Sequence, residues 1–415
     1  MLKRKVIIIG GGLAGLSAAH ELSQDERFDI HLIEKNNRLG GRIDSCTING
    51  QTVDVGGFLV YPWYKRYHEL IIELNLSEEL IKIPLARDYF SSHLKSQNKY
   101  DEELKLSFKD MMEIFMCVFP NQLTDYDPTK PELHAYNDLT VKDYLKSWNM
   151  ETEKINYYIN AFDTYLQGYC YGPVDEHKMA FMAATLFQNI LHGDMHAASY
   201  LRNGSKVFID ALHKRLESRG VQIHFNCTYE KIDSKQLTTS KGKMDADDFI
   251  FCHTPSGINY SKFITATVSY NGTALVEDDT EWGSCFYKED NQLFSILSVV
   301  NLKKLYGEKT VQHLNLNIKV NDTESANISS SDLLQIIKDE MQQHFKDITI
   351  LDIVNRVDWN KAMPIASEDF VESIRSNQGQ NNFYYAGDFM GCPSMETAIV
   401  NGRKAVENLL KNSRI

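Results

Sequence analysis

The feature that most restricts this chain lies at its N-terminus. A β-branched run, Val6-Ile7-Ile8-Ile9, leads straight into Gly10-Gly11-Gly12-Leu13-Ala14-Gly15. The run reads as a buried parallel strand. Leu13 to Ser23 has helical character, and Asp29 to Glu34 (DIHLIE) reads as a second strand, so the segment predicts a βαβ unit. In Gly10-x-Gly12-x-x-Gly15 the first glycine permits a tight turn. The second lets a pyrophosphate approach the backbone, and the third lets helix pack on strand. The helix start meets the phosphates with free N–H groups and the positive end of its dipole. Glu34 closes the second strand, where a carboxylate accepts hydrogen bonds from a ribose diol and repels a 2′-phosphate. Strand, glycines, helix, strand and acid in this order outweigh a glycine-rich turn in an unrelated sheet. The basic start MLKRK before an apolar stretch is also the pattern of a signal peptide, but the glycine spacing explains that stretch better.

Further along, the pattern changes character. From about 62 to 201 it is mostly helical, with aromatics and methionines on apolar faces. Trp63, Tyr67, Leu70, Ile71 and Leu74 share one face, as do Tyr158, Phe162, Tyr165 and Tyr169. The span 121–137 holds Pro128 and Pro131 and reads as a loop. A helix returns over Ser205–Arg219, with a Gly220 stop and a short strand at Val221–Phe225. Phe249-Ile250-Phe251-Cys252 reads as another buried strand. Residues 262–320 alternate in strand fashion, including Phe263–Tyr270 and Phe294–Val300. Leu333–Phe345 is amphipathic, and Asn377–Asn382 is polar and loop-like. Phe383–Ala386 reads as a last buried strand, and a final helix runs from Met395 to about Leu410. Both ends therefore look like pieces of one nucleotide-binding unit, and the middle looks different. That order predicts a discontinuous nucleotide domain (1–70, 200–258 and 377–415) interrupted by substrate-domain insertions (71–199 and 259–376).

Charge and cysteine usage remove several classes of function. The formal net charge is −12, which argues against a nucleic-acid binder because such proteins need a basic footprint. It also offers little attraction to anionic lipid. The seven cysteines are widely spaced and form no CxxC pair. Neither a disulfide framework nor a zinc site follows, and the expectation is reduced thiols in a cytoplasmic protein. His192 and His196 are the one pair at helical spacing; Gly193 interrupts it and no carboxylate completes a metal set. No apolar run approaches the ~18–20 residues of a membrane helix.

The glycine fingerprint alone does not separate FAD from NAD. More motifs follow it. Arg38-Leu39-Gly40-Gly41-Arg42 offers two glycines for close backbone approach and two arginines for phosphates. Asp54-Val55-Gly56-Gly57 is a second glycine pair after a short strand. Ala386-Gly387-Asp388 ends a strand, and Pro393-Ser394-Met395-Glu396-Thr397-Ala398 opens a helix whose N-terminus suits developing negative charge.

With these residues the chain resembles the superfamily of FAD-dependent amine oxidases and phytoene desaturases, which includes protoporphyrinogen oxidases. GGGLAGLSAA, Glu34, RLGGR, DVGG and AGDFMGCPSMETAIVNGRKA carry the resemblance. GSKVFIDALHKRLESRGVQIHFN and DDFIFCHTP extend it more weakly through the middle. The resemblance implies the α/β class: a Rossmann-like, discontinuous FAD-binding domain of the GR2 type, with an inserted mixed α+β substrate domain. It implies that Gly10, Gly12, Leu13, Ala14 and Gly15 pack on the FAD pyrophosphate, and that Glu34 and Lys35 lie at the adenosine ribose. Arg38, Gly40, Gly41 and Arg42 would lie beside the phosphates. Gly56 and Gly57 would approach the flavin ring. The backbone of Tyr229 would meet the adenine. Gly387 and Asp388 would hold the ribityl chain, and Met395 and Glu396 would present N–H groups to the flavin pyrimidine edge.

Departures from the family pattern bear on the branch. Amine oxidases of this superfamily carry an aromatic pair before the flavin, where this chain has Ser394 and the Ala362-Met363 segment. They also tend to have a lysine near flavin N5, and Ile264–Tyr270 has none. PSMETAIVNG looks more like the desaturase branch, although Thr397 and Asn401 differ from its usual Gly and Ser. Cys392 lies near the site but outside any cysteinyl-flavin pentapeptide, so it reads as an ordinary thiol. The expected function is dehydrogenation of a small, mostly apolar or unsaturated substrate by hydride transfer to non-covalent FAD. The alternative is an amine or amino-acid oxidase using O2. A flavin-dependent isomerase and a cofactor-free binding protein of the same fold are weaker readings. The methionine-rich Met111–Met116 and the aromatic face at Tyr158 are candidate tunnel linings, with core packing the commoner meaning of such stripes. No metal is expected, and no catalytic side chain is singled out, because in flavin chemistry the cofactor does the hard step. Contact with lipid would be peripheral, through a tunnel mouth.

Overall fold

β-Branched residues begin the fold as the sequence predicts. β1 is Arg4–Ile9, followed by α1 (Leu13–Leu22) and β2 (Phe28–Ile33). The structure, a computed structural model, describes residues 3–48, 50–82, 139–147, 151–168, 171–177, 198–233, 235–272, 283–285, 294–301, 313–320, 327–344 and 348–412. After β2 a hairpin of Ser45–Ile48 and Gln51–Asp54 leads to α2 (Lys65–Glu73). Helices Val141–Lys146 and Thr152–Gly168 follow. Next come α3 (Lys206–Ser218), β3 (Gln222–His224) and β4 (Asp248–Phe251). The second half holds β5 (Phe263–Gly272), β6 (Gly283–Cys285), β7 (Phe294–Asn301), β8 (His313–Val320), α4 (Ser330–His344) and β9 (Ile348–Trp359). β10 (Phe383–Tyr385) and α5 (Met395–Asn412) close the chain's described part.

One five-stranded sheet has the order β10-β4-β1-β2-β3, and every pairing in it is parallel. A parallel sheet is covered on both faces, which is why apolar residues dominate its central strands. On one face Val6, Ile8, Ile30, Leu32 and Ile250 join residues of α1, α3 and α5 in the largest core cluster. On the other, Ile7, Ile9, Ile33 and Phe249 pack with Leu237 and Ala246. Leu237 belongs to a three-stranded antiparallel layer, Tyr229–Ile232, Gln236–Thr239 and Gly242–Asp245. Buried Asp248 at the start of β4 is held by Arg4, with Arg4 Nη2 2.9 Å from its Oδ1.

The other five-stranded sheet, β6-β7-β8-β5-β9, is antiparallel. Here the strands alternate. Ile264, Ala266, Val268, Leu314, Leu316 and Ile318 pack under Leu333, Ile337 and Met341 of α4. Thr265, Thr267 and Asn315 point the other way and are buried as well. Thr267 donates to Asn315, whose amide donates to the main-chain oxygen of Asp54 at 2.7 Å. Trp359 Nε1 donates to Thr265 Oγ1 at 3.0 Å, which donates to Asn317 at 3.1 Å. The alternation expected across 262–320 is present in the described strands. β9 is twelve residues long and escapes a reading by alternation, because register shifts after Thr267 and Ser269 of β5 interrupt its pairing. The helix Glu368–Ser376 and the antiparallel layer after Tyr229 are also additions to the sequence reading.

The helical middle is described in part. Tyr67, Leu70 and Ile71 of α2 are buried with Trp63 and Leu74, as their common face predicts. Tyr158 is buried, which is the core reading of its stripe. Met111–Met116, Tyr169, His192 and His196 lie outside the described residues, as do the side chains of Phe162 and Tyr165. No helix among the described residues is long and apolar enough to cross a membrane. Among the described residues no group of three or more His, Cys, Asp or Glu could hold a metal ion.

Candidate functional site

The parallel sheet brings the motifs to one edge. Ile9 pairs with Ile33 and with Phe251, and Phe251 pairs with Tyr385, so these residues form one transverse row. The next residues in each strand, Gly10, Glu34, Cys252 and Ala386, therefore leave the sheet side by side. The chain order runs outward from β1 to β2 and β3 on one flank, then returns to β4 on the other. The crevice at such a reversal, beyond the carboxyl ends of the strands, is where open α/β sheets bind ligands.

The glycines have distinct steric reasons. Gly10 has φ +112°, and a Cβ there would lie 3.0 Å from the main chain of Cys252. A Cβ on Gly15 would lie 1.9 Å from the oxygen of Gly10, so only glycine lets α1 sit this close to β1. Gly12, in contrast, has nothing within 4 Å of its Cβ position. It opens α1 with no side-chain cap, and no acid occupies the first turn. The N–H groups of that turn are left for an anion. Leu13 and Ala14 are buried behind it.

Glu34 is buried, and its carboxylate is held from both sides. Oε2 accepts the Gly11 N–H and Oε1 accepts the Asn36 N–H, each at 2.8 Å. Each oxygen keeps a second lone pair for hydroxyl donors. Lys35 beside it is exposed.

The Arg38–Arg42 loop folds back on this turn. Gly40 N–H donates to the oxygen of Gly11 at 2.9 Å, and the Cβ position of Gly41 lies 3.2 Å from Gly12 Cα. The two arginines do different work. Arg38 donates to the oxygens of Leu39, Gly41 and Ile43 and pairs with Asp44 at 3.0 Å, so it braces its own loop. Arg42 donates to the oxygen of Ala362 at 2.8 Å and to Asp388 Oδ1 at 2.5 Å. Burial opposes the charge of Arg42, and Asp388 beside it more than offsets this, so its pKa is raised. This one guanidinium joins the glycine loop, the last strand's end and the return from the second sheet. Gly57 N–H donates to the oxygen of Arg42 at 3.1 Å, and Gly57 has open space at its Cβ position.

Asp388 opens a 3₁₀ turn after Gly387, and α5 starts a few residues on. Ser394 caps α5: its Oγ accepts the Thr397 N–H at 3.0 Å. Met395 and Glu396 form the first turn. Tyr229 lies on the far flank, with its ring stacked on His253 at 5.8 Å. The structure thus brings Gly10, Gly12, Gly15, Glu34, Gly40, Gly41, Arg42, Gly57 and Asp388 to one edge, with Arg38 turned toward its own loop.

Two features escape sequence reasoning. Tyr260 lies within the electrostatic reach of Asp388 and Arg42, and burial raises its pKa. It belongs to the short pairing of Asn259–Tyr260 with Pro364–Ile365 that leads to and from the second sheet. Nothing local in the sequence marks it. The segment Tyr61-Pro62-Trp63-Tyr64 packs as an aromatic group, with Trp63 and Tyr64 rings 4.5 Å apart at 85°. Its aromatic density was the available signal.

Residues 8–72 match the family described as NAD(P)-binding Rossmann-like domain. A 4,4'-diaponeurosporene oxygenase of Staphylococcus haemolyticus is 46% identical over 64 residues, 15% of this chain and 12% of that protein. A 1-hydroxycarotenoid 3,4-desaturase of Flavobacterium sp. is 23% identical over 367 residues, 76% of this chain and 72% of that protein. A flavin-containing amine oxidase A of Canis lupus familiaris is 36% identical over 94 residues, 20% of this chain and 17% of that protein. The chain thus spans less than a fifth of the oxygenase and of the amine oxidase. The fold is shared with a fatty acid isomerase of P. acnes that produces CLA, with TM-score 0.76, 15% identity and 98% and 99% of the two chains covered. It is shared with putrescine oxidase bound to putrescine, with TM-score 0.67, 13% identity and 99% and 100% coverage. The chain is thus similar to carotenoid desaturases over most of its length and to flavin-containing amine oxidases over a shorter stretch, and these relatives are oxidoreductases.

Proposed function

We propose that the strand-end crevice holds non-covalent FAD and that the protein dehydrogenates a small, mostly apolar or unsaturated substrate. The observation that carries the cofactor assignment is the open ground above Gly12, beside an uncapped α1 start and the oriented Glu34 carboxylate. These suit a pyrophosphate and a ribose diol, with no side chain in the way. In this reading Gly10, Gly12, Leu13, Ala14 and Gly15 take the pyrophosphate, and Glu34 and Lys35 the adenosine end. Gly40, Gly41 and Arg42, braced by Arg38, close over the phosphates. Gly56 and Gly57 face the ring, and Tyr229 lies at the adenine. Gly387 and Asp388 hold the ribityl chain, and Met395 and Glu396 present the α5 start. Bound FAD would supply the two-electron acceptor for a dehydrogenation that leaves a double bond in the substrate. The protein's own part is to bind, orient and exclude water.

The desaturase branch is favoured because the carotenoid desaturase matches across most of both chains, whereas the amine oxidase match is short. Ser394 also acts as a helix cap where an amine oxidase carries an aromatic. The domain division at 1–70, 200–258 and 377–415 against 71–199 and 259–376 accompanies this reading, as does a cytoplasmic location with peripheral lipid contact.

Mass spectrometry of what the purified protein releases on denaturation tests the cofactor. Released FAD is the expected result, and a protein that neither carries nor takes up FAD would sink the assignment. Anaerobic bleaching of the flavin by unsaturated apolar compounds tests the reaction. Peroxide release with amines and O2 would instead establish the oxidase alternative.

A further inference from the structure

Glu396 is the acid in the first turn of α5, and it is 3% exposed. Its side chain does not serve its own helix. Oε1 accepts the Arg66 N–H at 2.8 Å and Oε2 accepts the Tyr67 N–H at 2.9 Å. Those donors belong to the first turn of α2, whose N-cap residue, Tyr64, makes no side-chain cap bond. Glu396 therefore caps α2 across 330 residues of chain.

The segment that enters α2 is the aromatic one. Tyr64 lies beside Ser394, the cap of α5. Its ring meets Tyr61 at 5.6 Å and Trp63 at 4.5 Å. Tyr171 adds a hydrogen bond from its hydroxyl to the oxygen of Pro393 at 3.1 Å. The start of α5 and Tyr61–Tyr64 are thus one packed unit, with Glu396 as its polar joint.

The two protonation states of that joint are not equivalent. An ionised carboxylate accepts both N–H groups and suits the positive ends of two helices. A protonated one turns one oxygen into a donor and a weaker acceptor, so one of the two bonds is weakened and the charge that suits the helix ends is gone. Burial pushes the Glu396 carboxyl up to about 7, the Arg66 and Tyr67 N–H groups oppose it, and Glu69 adds to it while the Arg66 charge subtracts. The other ionisable groups around the joint are committed elsewhere. Arg66 and Glu69 pair on α2. Burial keeps Tyr64 and Tyr67 protonated. On α1, His20 bonds Glu73 and Glu21 lies near Arg403. Asp388, before α5, pairs with Arg42.

We propose that Glu396 is a positioning residue of the cofactor site: its ionised carboxylate holds the first turn of α2, and through it the adjoining Tyr61–Tyr64 segment, against the start of α5, and its protonation loosens that joint and changes the flavin's surroundings. The proposal rests on the FAD reading for its second half and on the joint alone for its first.

The test compares the FAD-loaded protein with Glu396→Gln, which keeps the size and cannot ionise. Flavin absorbance and the near-ultraviolet circular dichroism of the aromatic group are followed from about pH 5 to about pH 9, bracketing the range between ordinary carboxylates and lysines. The native protein is expected to show a one-proton transition near pH 7 in both signals, and Glu396→Gln to show none and resemble the acid form. The same transition in Glu396→Gln, or none in the native protein, would overturn the proposal. Should Glu396→Gln not fold, Glu396→Asp still ionises with a shorter reach. A moved midpoint then supports the joint, and an unmoved one overturns it. A protein that takes up no FAD defeats the cofactor reading, and the dichroism still decides the joint.

Discussion

Both large sheets have five strands, yet one is parallel and the other antiparallel, and they contribute differently. Parallel strands finish on the same side, so Gly10, Glu34, Cys252 and Ala386 leave as neighbours although the first and last stand near opposite ends of the chain. Antiparallel strands send their ends both ways, so that sheet offers its faces. One face is apolar under α4, and the other carries Thr265, Thr267 and Asn315, of which Asn315, held by Thr267, bonds the hairpin before Gly56. The parallel sheet gathers loops at one edge, and the antiparallel sheet is tied to the hairpin before Gly56 by the Asn315–Asp54 hydrogen bond.

The comparison breaks most sharply at Gly15. Gly15→Ala puts a carbon into the Gly10 carbonyl and forces α1 off β1. We expect loss of bound FAD and about 4 kcal/mol of stability, at the severe end of single substitutions. Flavin content and denaturant unfolding measure the two losses together. Retention of both would show that α1 has more freedom than its packing implies.

Leu316→Ala opens a cavity under α4, on the apolar face of the second sheet. A cost of about 3 kcal/mol is expected for a fully buried leucine, with flavin content per folded molecule unchanged. Loss of flavin would mean that the two sheets do not divide their work as described. The mildest change, Asn315→Leu, keeps the branching of the side chain and removes both the donor to the Asp54 carbonyl and the acceptor for Thr267. It should cost about 1–2 kcal/mol and shift the flavin spectrum, because the hairpin leading to Gly56 loses its tie to the antiparallel sheet. An unaltered spectrum would make that tie purely structural.

Much of the parallel half was legible in the sequence. Val6–Ile9, the glycine turn and the acid at Glu34 depend on local sterics and on burial of a strand from both faces, and each leaves a local mark. The alternation of β5 and β8 was legible for the same reason. β9 was not, because its bulges break the period that would reveal it. At the site, the residue types were readable but not their tasks. Arg38 and Arg42 flank the same two glycines, and only their surroundings make one a loop brace and the other a bridge to Asp388.

By itself, then, the sequence determined the parallel-sheet part, its glycine turn and the likeness to an oxidoreductase superfamily, since the first two follow from backbone conformation and hydrophobic period over short stretches and the third from short motifs. The tertiary structure alone decided that Glu396 caps α2, that Asp54 accepts the Ser205 N–H ahead of α3 and that Arg42 clasps Asp388. Those contacts act over about 3 Å between residues far apart in the chain. No local pattern encodes them until the packed core has brought the partners together.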